Sequence, residues 1–162
     1  MGRLHAYAIT TTWTGDRGEG TAGYRAYGRD HDLDADGRPT LAASSDPAFR
    51  GDADRWNPEL LLVAALSDCH LLAYLHLCAV NGVVVTGYRD EATGTMEQVG
   101  DGGRFTEVVL RPVVTVADAS MIERANALHH DAHESCFIAA SVNFPVRTEP
   151  TAGTDGQTGS PT

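Results

Sequence analysis

The sequence predicts an α+β fold. Three observations lead to this: a long apolar helical run over residues 58–80, β-branched clusters before and after it, and a second helical run after residue 120. The order β-rich, helix, β-rich, helix, strand lacks the regular alternation of a doubly wound sheet. The chain of 162 residues is long enough for one domain. We expect that domain over residues 1–149 and a disordered Gly-, Thr- and Pro-rich tail over 150–162.

The first part of the chain is predicted to be β-rich. Residues 7–13 (Tyr-Ala-Ile-Thr-Thr-Thr-Trp) are typical of a strand, and residues 15–20 are glycine-rich and indicate a turn. A second short strand is predicted over 24–27, which would complete a hairpin. Residues 30–56 read mostly as loop.

The long helix is predicted to begin near Pro58 and to end at Asn81-Gly82. Asn57 can cap it, Pro58 suits its first turn, and Glu59 favours the positive end of its dipole. Apolar residues occur on nearly every side, so we expect burial over most of its surface. The polar tetrapeptide over residues 67–70 (Ser-Asp-Cys-His) interrupts this pattern, and buried polar groups need partners. It is therefore the first place to look for function.

Strands are predicted over residues 83–96 and 104–116, joined by a glycine-rich hairpin turn at 100–103. Pro112 indicates an edge strand or a bulge. Ser120 and Glu123 fit a capping box, so a second helix is expected from there to about Ser135. Residues 141–147 are typical of a last strand.

Charge and composition exclude several classes of partner. The chain has twelve arginines, no lysine and twenty-two acidic residues, and its net charge of −10 repels phosphate backbones. Nucleic acid is therefore not an expected partner. The first residues lack a secretory signal pattern and three cysteines do not suggest a disulfide framework, so we expect a cytoplasmic protein. A membrane span is disfavoured because Asp68 at its centre costs roughly 2.5–3.5 kcal/mol.

Two cysteines carry the chemistry that the sequence indicates. Cys69 and Cys136 each lie in a helical run beside histidine and a carboxylate, which suggests thiol redox chemistry. A buried thiol has a raised pKa, so a reactive Cys69 needs a nearby cation. Arg17, in a glycine-rich turn, is the first candidate, and Arg29 is its rival. Glu59 is ten helical residues from Cys69, about 15 Å of rise, which favours a site shared between two copies of the chain.

The histidines suggest an alternative function, namely metal binding. His129, His133 and Cys136 share one helical stripe, and with His70 or Cys69 they could ligate a transition metal. The simpler interpretation is that residues 129, 130 and 133 form a solvated face or an interface. His76 is interpreted as a buried, hydrogen-bonded imidazole. The third cysteine, Cys78, lies among apolar residues and is interpreted as core.

Three segments together resemble the OsmC/Ohr family. They are residues 57–61 (Asn-Pro-Glu-Leu-Leu) with a cysteine ten positions after the glutamate, residues 132–139 (Ala-His-Glu-Ser-Cys-Phe-Ile-Ala), and the arginine-bearing turn at 16–21 (Asp-Arg-Gly-Glu-Gly-Thr). The similarity covers roughly residues 8 to 149. Each segment is weak alone, but the set is fairly specific.

The resemblance implies an intertwined homodimer with antiparallel sheets packed around a long central helix. It implies that Cys69 is the peroxidatic cysteine, which attacks an organic hydroperoxide, and that Cys136 is the resolving cysteine, which then forms a disulfide with it. Arg17 matches the activating arginine and Glu59 the carboxylate that orients it. A dithiol, for example a lipoylated protein, would reduce the disulfide. The resemblance implies no metal and no organic cofactor.

The chain also departs from the family pattern. Many members have a small or apolar residue before the first cysteine and an aromatic residue after it, where this chain has Asp68 and His70. These residues and the histidines before Cys136 indicate a divergent, histidine-rich subgroup. Two other functions therefore stay open: a metal or small-molecule binding protein without peroxide turnover, and a structural dimer with incidental thiols.

Overall fold

The computed structural model describes residues 2–156. They form two compact units, residues 2–61 and residues 62–156. The first unit contains one small sheet and the start of a long helix. The second unit contains two small sheets, the rest of that helix and a second helix, so the fold is mixed α+β, as the sequence predicts. The prediction of one domain over residues 1–149 stays a prediction.

The first unit contains a three-stranded antiparallel sheet. Its strands, in spatial order, are β1 (Thr10–Trp13), β2 (His31–Asp34) and β3 (Leu41–Ala43). The predicted strand over 24–27 is wrong, because these residues form turns around the Arg29 side chain. The second strand lies instead at His-Asp-Leu-Asp, which contains no β-branched residue and gave no strand signal.

Helix α1 spans Pro58–Val80, as predicted. It begins after Asn57, whose Oδ1 accepts from the Leu60 amide at 2.8 Å. This bond satisfies one of the free amides of the first turn. The helix ends at Val80. Gly82 follows it with a φ of 71°, which suits glycine, and the Val83 amide then donates to the Cys78 carbonyl at 2.9 Å.

The expectation that α1 is buried over most of its surface is wrong. One stripe at four-residue spacing is buried, formed by Leu66, His70, Tyr74 and Cys78. The most apolar 18-residue window has a mean hydropathy of 1.7 but is only 17% buried, so the helix is long and apolar enough to span a membrane by length and composition alone. The two polar side chains that precede Cys69, Ser67 and Asp68, lie in its middle and oppose that placement.

The second unit contains two three-stranded sheets with the spatial orders β4-β7-β9 and β5-β6-β8. The predicted hairpin at residues 100–103 joins β5 to β6. The pairs β6–β8 and β7–β9 are parallel, not antiparallel, because the chain crosses through a helix before it returns. The strands are β4 (Val85–Asp90), β5 (Thr93–Val99), β6 (Gly102–Leu110), β7 (Pro112–Val116), β8 (Val146–Thr148) and β9 (Thr151–Gly153).

Two local predictions in this unit are wrong. Pro112 is not on an edge strand: it is the first residue of β7, the middle strand of its sheet, where a missing amide is tolerated. Ser120 does not cap helix α2 (Ile122–Glu134), because its amide and hydroxyl both donate to Asp118. Asp118 instead caps a short 3₁₀ turn that precedes the helix.

The end of the chain is more ordered than predicted. Residues 151–153, expected in a disordered tail, form β9 and pair in parallel with β7. The short strand Val146–Thr148 replaces the predicted strand over 141–147, since a 3₁₀ turn occupies 139–141. Residues 157–162 of the predicted tail lie outside the described residues.

Helix α1 contributes to two apolar clusters of the second unit. Leu66 packs with Val108 and Leu110, and about two and three turns further on Tyr74 and Cys78 pack with strand β7 and helix α2. The polar tetrapeptide over residues 67–70 therefore lies between two apolar clusters, where α1 meets α2.

Candidate active site

The tetrapeptide in the middle of α1 presents its side chains in different directions, because successive helical residues are rotated by about 100°. His70 is buried with 1% of its surface exposed, Cys69 is half-buried, and Asp68 is exposed. Ser67 donates a hydrogen bond to Asp90 on β4. The rotation separates the carboxylate of Asp68 from the buried stripe and leaves Cys69 at its rim.

Cys136 lies just past the end of α2, and its thiol contacts the thiol of Cys69. It is 2% exposed, and its sulfur accepts from the Ala139 amide at 3.4 Å. Burial, and after it the interaction with the neighbouring Cys69 thiol, together raise the pKa of the Cys136 thiol to about 11. The structure therefore brings together the two cysteines that the sequence singled out, although they are 67 positions apart.

The third cysteine lies away from this contact. Cys78 is in the apolar cluster with Tyr74, and burial raises the pKa of its thiol. All three cysteines are free thiols in the structure. Cys78 is thus a core residue, as predicted, and serves as an internal control for any thiol chemistry at the other two.

The two candidate arginines differ in their surroundings within the first unit. The Arg29 guanidinium stacks on Tyr24 and Tyr27, at 4.5 and 4.1 Å from the ring centroids, and donates to the carbonyl oxygens of both residues. Both terminal nitrogens of Arg29 thus donate within its own turn. Arg17 is exposed, and within residues 2–156 its guanidinium forms no hydrogen bond or ion pair. Arg17 is therefore the arginine with donors available to a ligand.

Glu59, the other predicted site residue of the first unit, has an unpartnered oxygen. It occupies the first turn of α1, and its Oε2 is buried without a hydrogen-bond partner among the described residues. A buried carboxylate oxygen without a partner is costly, so it suits a position where a cation arrives from another side chain or another chain.

A buried pair of histidines lies beside the cysteines. His70 Nε2 is 2.9 Å from His129 Nδ1, and the two rings are nearly parallel, at 9°. Tyr74 stacks on His129 with its centroid at 3.8 Å and donates its hydroxyl to the Ala125 carbonyl. His129 was predicted to be solvated or at an interface, and His76 to be buried. The solvated face is wrong for His129, which packs against the buried stripe of α1, and burial is wrong for His76, which lies on the exposed side of that helix.

Burial keeps both histidines neutral. It lowers the pKa of His70 to about 4, against an opposing effect of Asp90, and lowers the pKa of His129 to about 3. A hydrogen bond between two neutral imidazoles contains a single proton, so one ring donates and the other accepts. The outer nitrogens, His70 Nδ1 and His129 Nε2, are buried without partners among the described residues.

The hypothesis of a metal site finds no support in the arrangement of these side chains. Among residues 2–156, no group of three or more His, Cys, Asp or Glu side chains is arranged so that it could hold a metal ion. His129 and Cys136 instead contact different partners on α1, namely His70 and Cys69.

Comparison with known proteins identifies relatives of this fold. A family model described as OsmC-like protein matches residues 51–151. A solved OsmC-like protein of unknown function from Vibrio cholerae O1 biovar eltor is 33% identical with a TM-score of 0.82, over 91% of this chain and 99% of that one. No curated protein matches the sequence.

More distant solved structures share the fold. An organic hydroperoxide resistance protein from Elizabethkingia anophelis, with thiocyanate bound, is 20% identical with a TM-score of 0.69, over 96% of this chain and 100% of that one. An organic hydroperoxide resistance protein OsmC from Legionella pneumophila is 17% identical with a TM-score of 0.68, over 94% of this chain and 100% of that one.

Proposed function

Because the chain belongs to the OsmC-like family, we propose that it is a thiol peroxidase that reduces organic hydroperoxides to alcohols. The observation that carries this proposal is the contact between the thiols of Cys69 and Cys136. Two thiols in contact can pass from dithiol to disulfide without a large movement of the backbone. The names of two relatives with the same fold, both hydroperoxide resistance proteins, suggest the substrate class.

The difference in exposure between the two cysteines supports their proposed roles. Cys69 is half-buried, so a substrate can reach its sulfur, whereas Cys136 is 2% exposed and is shielded from solvent. The raised pKa of Cys136, about 11, keeps it protonated while the first step proceeds. Cys69 is therefore the attacking residue and Cys136 the resolving one.

The proposed cycle has three steps. The Cys69 thiolate attacks the terminal oxygen of the hydroperoxide, the O–O bond breaks, and the alkoxide takes a proton and leaves as the alcohol. This converts Cys69 to a sulfenic acid. The Cys136 sulfur then attacks the Cys69 sulfur, and the hydroxyl group leaves as water with the proton of the Cys136 thiol. A dithiol, such as a lipoylated protein, supplies two electrons and regenerates both thiols by exchange.

The family resemblance gives Arg17 and Glu59, both in the first unit, supporting roles in the proposed reaction. The Arg17 guanidinium has free donors, which can stabilise a thiolate and a peroxide oxygen together. The unpartnered Oε2 of Glu59 is suited to orient that guanidinium. Arg29 is a poorer candidate because two tyrosines and two carbonyl groups already hold it.

The proposed active form is a homodimer in the cytoplasm, where dithiol reductants are maintained. Helix α1 leaves large apolar side chains exposed, including Leu72 (60%) and Val80 (64%), and Phe137 next to Cys136 is 81% exposed. Large exposed apolar side chains on one helix favour a subunit interface. Sedimentation should give a dimer, and Leu72→Glu should shift it toward monomer.

Turnover with a defined peroxide tests the function. Purified protein with cumene hydroperoxide and dithiothreitol should release cumyl alcohol over many cycles, and glutathione, a monothiol, should support it poorly. Cys78→Ser is the matched control and should retain the activity, because Cys78 is in the core. Equal alcohol release by wild type and Cys69→Ser would contradict the proposal.

A further inference from the structure

A loop over residues 14–30 joins strands β1 and β2 in the first unit. Its base is closed by two hydrogen bonds, in which the Gly28 amide donates to the Gly15 carbonyl at 2.7 Å and the Trp13 indole donates to the Gly28 carbonyl at 2.9 Å. A side chain on Gly15 would clash with the Gly28 carbonyl, so this close approach requires glycine. Residues 16–27 therefore form a compact loop with adjacent ends, a type of loop that is often functional.

Arg17 lies in the first half of this loop. The Asp16 carboxylate accepts from the amides of Gly18 and Gly20, both at 2.9 Å, and thereby fixes the turn that contains Arg17. The Nη2 atom of Arg17 lies at the base of the loop, 3.4 Å from the point that a side-chain carbon on Gly28 would occupy. The Arg17 side chain therefore packs against the second half of the loop, and its place depends on where that half holds Gly28.

Arg29 directly follows the base, and its side chain turns back into the second half of the loop. Its Nη1 donates to the Tyr27 carbonyl at 2.7 Å and its Nη2 to the Tyr24 carbonyl at 2.8 Å. The guanidinium also lies over both tyrosine rings, at 4.1 and 4.5 Å from their centroids. Tyr24 is 63% exposed, so burial alone does not fix this half of the loop. The contacts of Arg29 therefore hold residues 24–27, and with them the adjoining Gly28.

We infer that Arg29 is a positioning residue, which restricts the loop, and through Gly28 the guanidinium of Arg17, to one arrangement. The role rests on the proposed function, in which Arg17 stabilises the Cys69 thiolate and the peroxide oxygen. Arg29 acts through the loop and not on the substrate, because its two terminal nitrogens already donate to carbonyl groups. A guanidinium that is held in place loses less conformational entropy when the substrate binds, so it contributes more to the rate.

Trypsin cleavage after Arg17 measures the order of the loop without an activity assay. A protease cuts a folded loop when the segment opens, so the cleavage rate follows the population of the open form. Arg29→Met keeps an unbranched side chain but removes the charge and both hydrogen bonds, so the initial rate of cleavage after Arg17 should rise roughly tenfold. Arg25→Met removes an exposed arginine of the same loop and is the matched control, with an unchanged rate. Mass spectrometry of the first fragments measures the rates.

A double-mutant cycle with Arg17 tests the link to the reaction. In Arg29→Met, kcat/KM for cumene hydroperoxide should fall roughly three- to tenfold, whereas Arg25→Met should match the wild type. Arg29→Lys keeps the charge but lacks the planar fork that bonds to two carbonyl groups, so it should recover only part of the loss. In an Arg17→Ala background, Arg29→Met should cause no further loss, because no guanidinium is left to position.

Two results would overturn the positioning role. One is an equal rate of cleavage after Arg17 in the wild type and in Arg29→Met. The other is a loss of kcat/KM from Arg29→Met that is as large in the Arg17→Ala background as in the wild type, because Arg29 would then act independently of Arg17. A wild-type protein that releases no cumyl alcohol would instead overturn the proposed function, and the cleavage rates would still decide whether Arg29 orders the loop around Arg17. Where Arg29→Met fails to fold, Arg29→Lys supplies the same comparisons.

Discussion

Two side-chain pairs start from adjacent residues of α1, and one reaches helix α2 while the other reaches the turn just after it. Cys69 contacts Cys136, and His70 contacts His129. The helical rotation of about 100° turns His70 into the core and leaves Cys69 at the rim. The cysteine pair has one member that a substrate can reach, whereas both histidines are at most 3% exposed. Access to one member, and not the residue types alone, therefore supports the proposed reactivity of the cysteine pair and a structural role for the histidine pair.

The largest expected effect is the loss of peroxide turnover when the cysteine pair is changed. Cys69→Ser should abolish cumene hydroperoxide turnover, because the attacking sulfur is removed. Cys136→Ser should reduce about one equivalent of hydroperoxide and then stall, since the sulfenic acid has no resolving thiol. Alcohol release followed by chromatography measures both. Multiple turnovers by either variant, under conditions where Cys78→Ser matches the wild type, would contradict the assigned roles.

A smaller loss of activity is expected when Arg17 is replaced. Arg17→Ala removes a charged hydrogen bond worth about 1.5–3 kcal/mol, so kcat/KM for cumene hydroperoxide should fall roughly ten- to hundredfold. Arg17→Lys should recover only part of this loss, because an ammonium group cannot bond to two atoms as the planar guanidinium does. A wild-type kcat/KM in Arg17→Ala would transfer the role to another cation.

The histidine pair should affect stability and not chemistry. His70→Phe leaves the buried Nδ1 of His129 without a partner, which should lower the free energy of unfolding by about 1–3 kcal/mol in urea. The double variant with His129→Phe should cost less than the sum of the single variants, because no orphaned nitrogen remains. His76→Gln, on the exposed side of α1, should change the free energy of unfolding by less than about 0.5 kcal/mol. If the losses in free energy of unfolding of the two single variants add up to the loss of the double variant, the two histidines do not interact.

The same pair predicts a pH dependence of stability. Burial lowers the pKa values of His70 and His129 to about 4 and 3, while an unfolded histidine has a pKa of about 6.5. The unfolded chain therefore binds more protons below pH 6.5, and stability falls as pH drops from there toward the folded pKa values. The slope should approach about 1.4 kcal/mol per pH unit for each histidine. Urea unfolding between pH 7 and pH 5 should show it, and the double phenylalanine variant should flatten it.

The sequence was sufficient for features that depend on local residues. The bounds of α1 followed from Asn57, Pro58 and Gly82, and the β5–β6 hairpin from its glycines. The OsmC-like family followed from segments whose residues are close in sequence, and the family match confirms it. These predictions succeeded because capping and turn conformations are set by neighbouring residues.

Features set by tertiary contacts could not be read from the sequence. Strand β2 has a polar sequence and exists because it pairs with β1 and β3. The burial of His129 depends on the contact of α2 with α1. From the sequence alone, the three histidines of this amphipathic helix are equally compatible with a solvent-exposed face. The same applies to β9, a Thr-Ala-Gly strand whose pairing with β7 no local signal indicates.

The most direct test of the cysteine contact is peptide mass spectrometry after one equivalent of cumene hydroperoxide. A single disulfide should link the peptides of Cys69 and Cys136, with Cys78 still a free thiol. Free thiols at both positions after the peroxide is consumed, or a disulfide that includes Cys78, would contradict it.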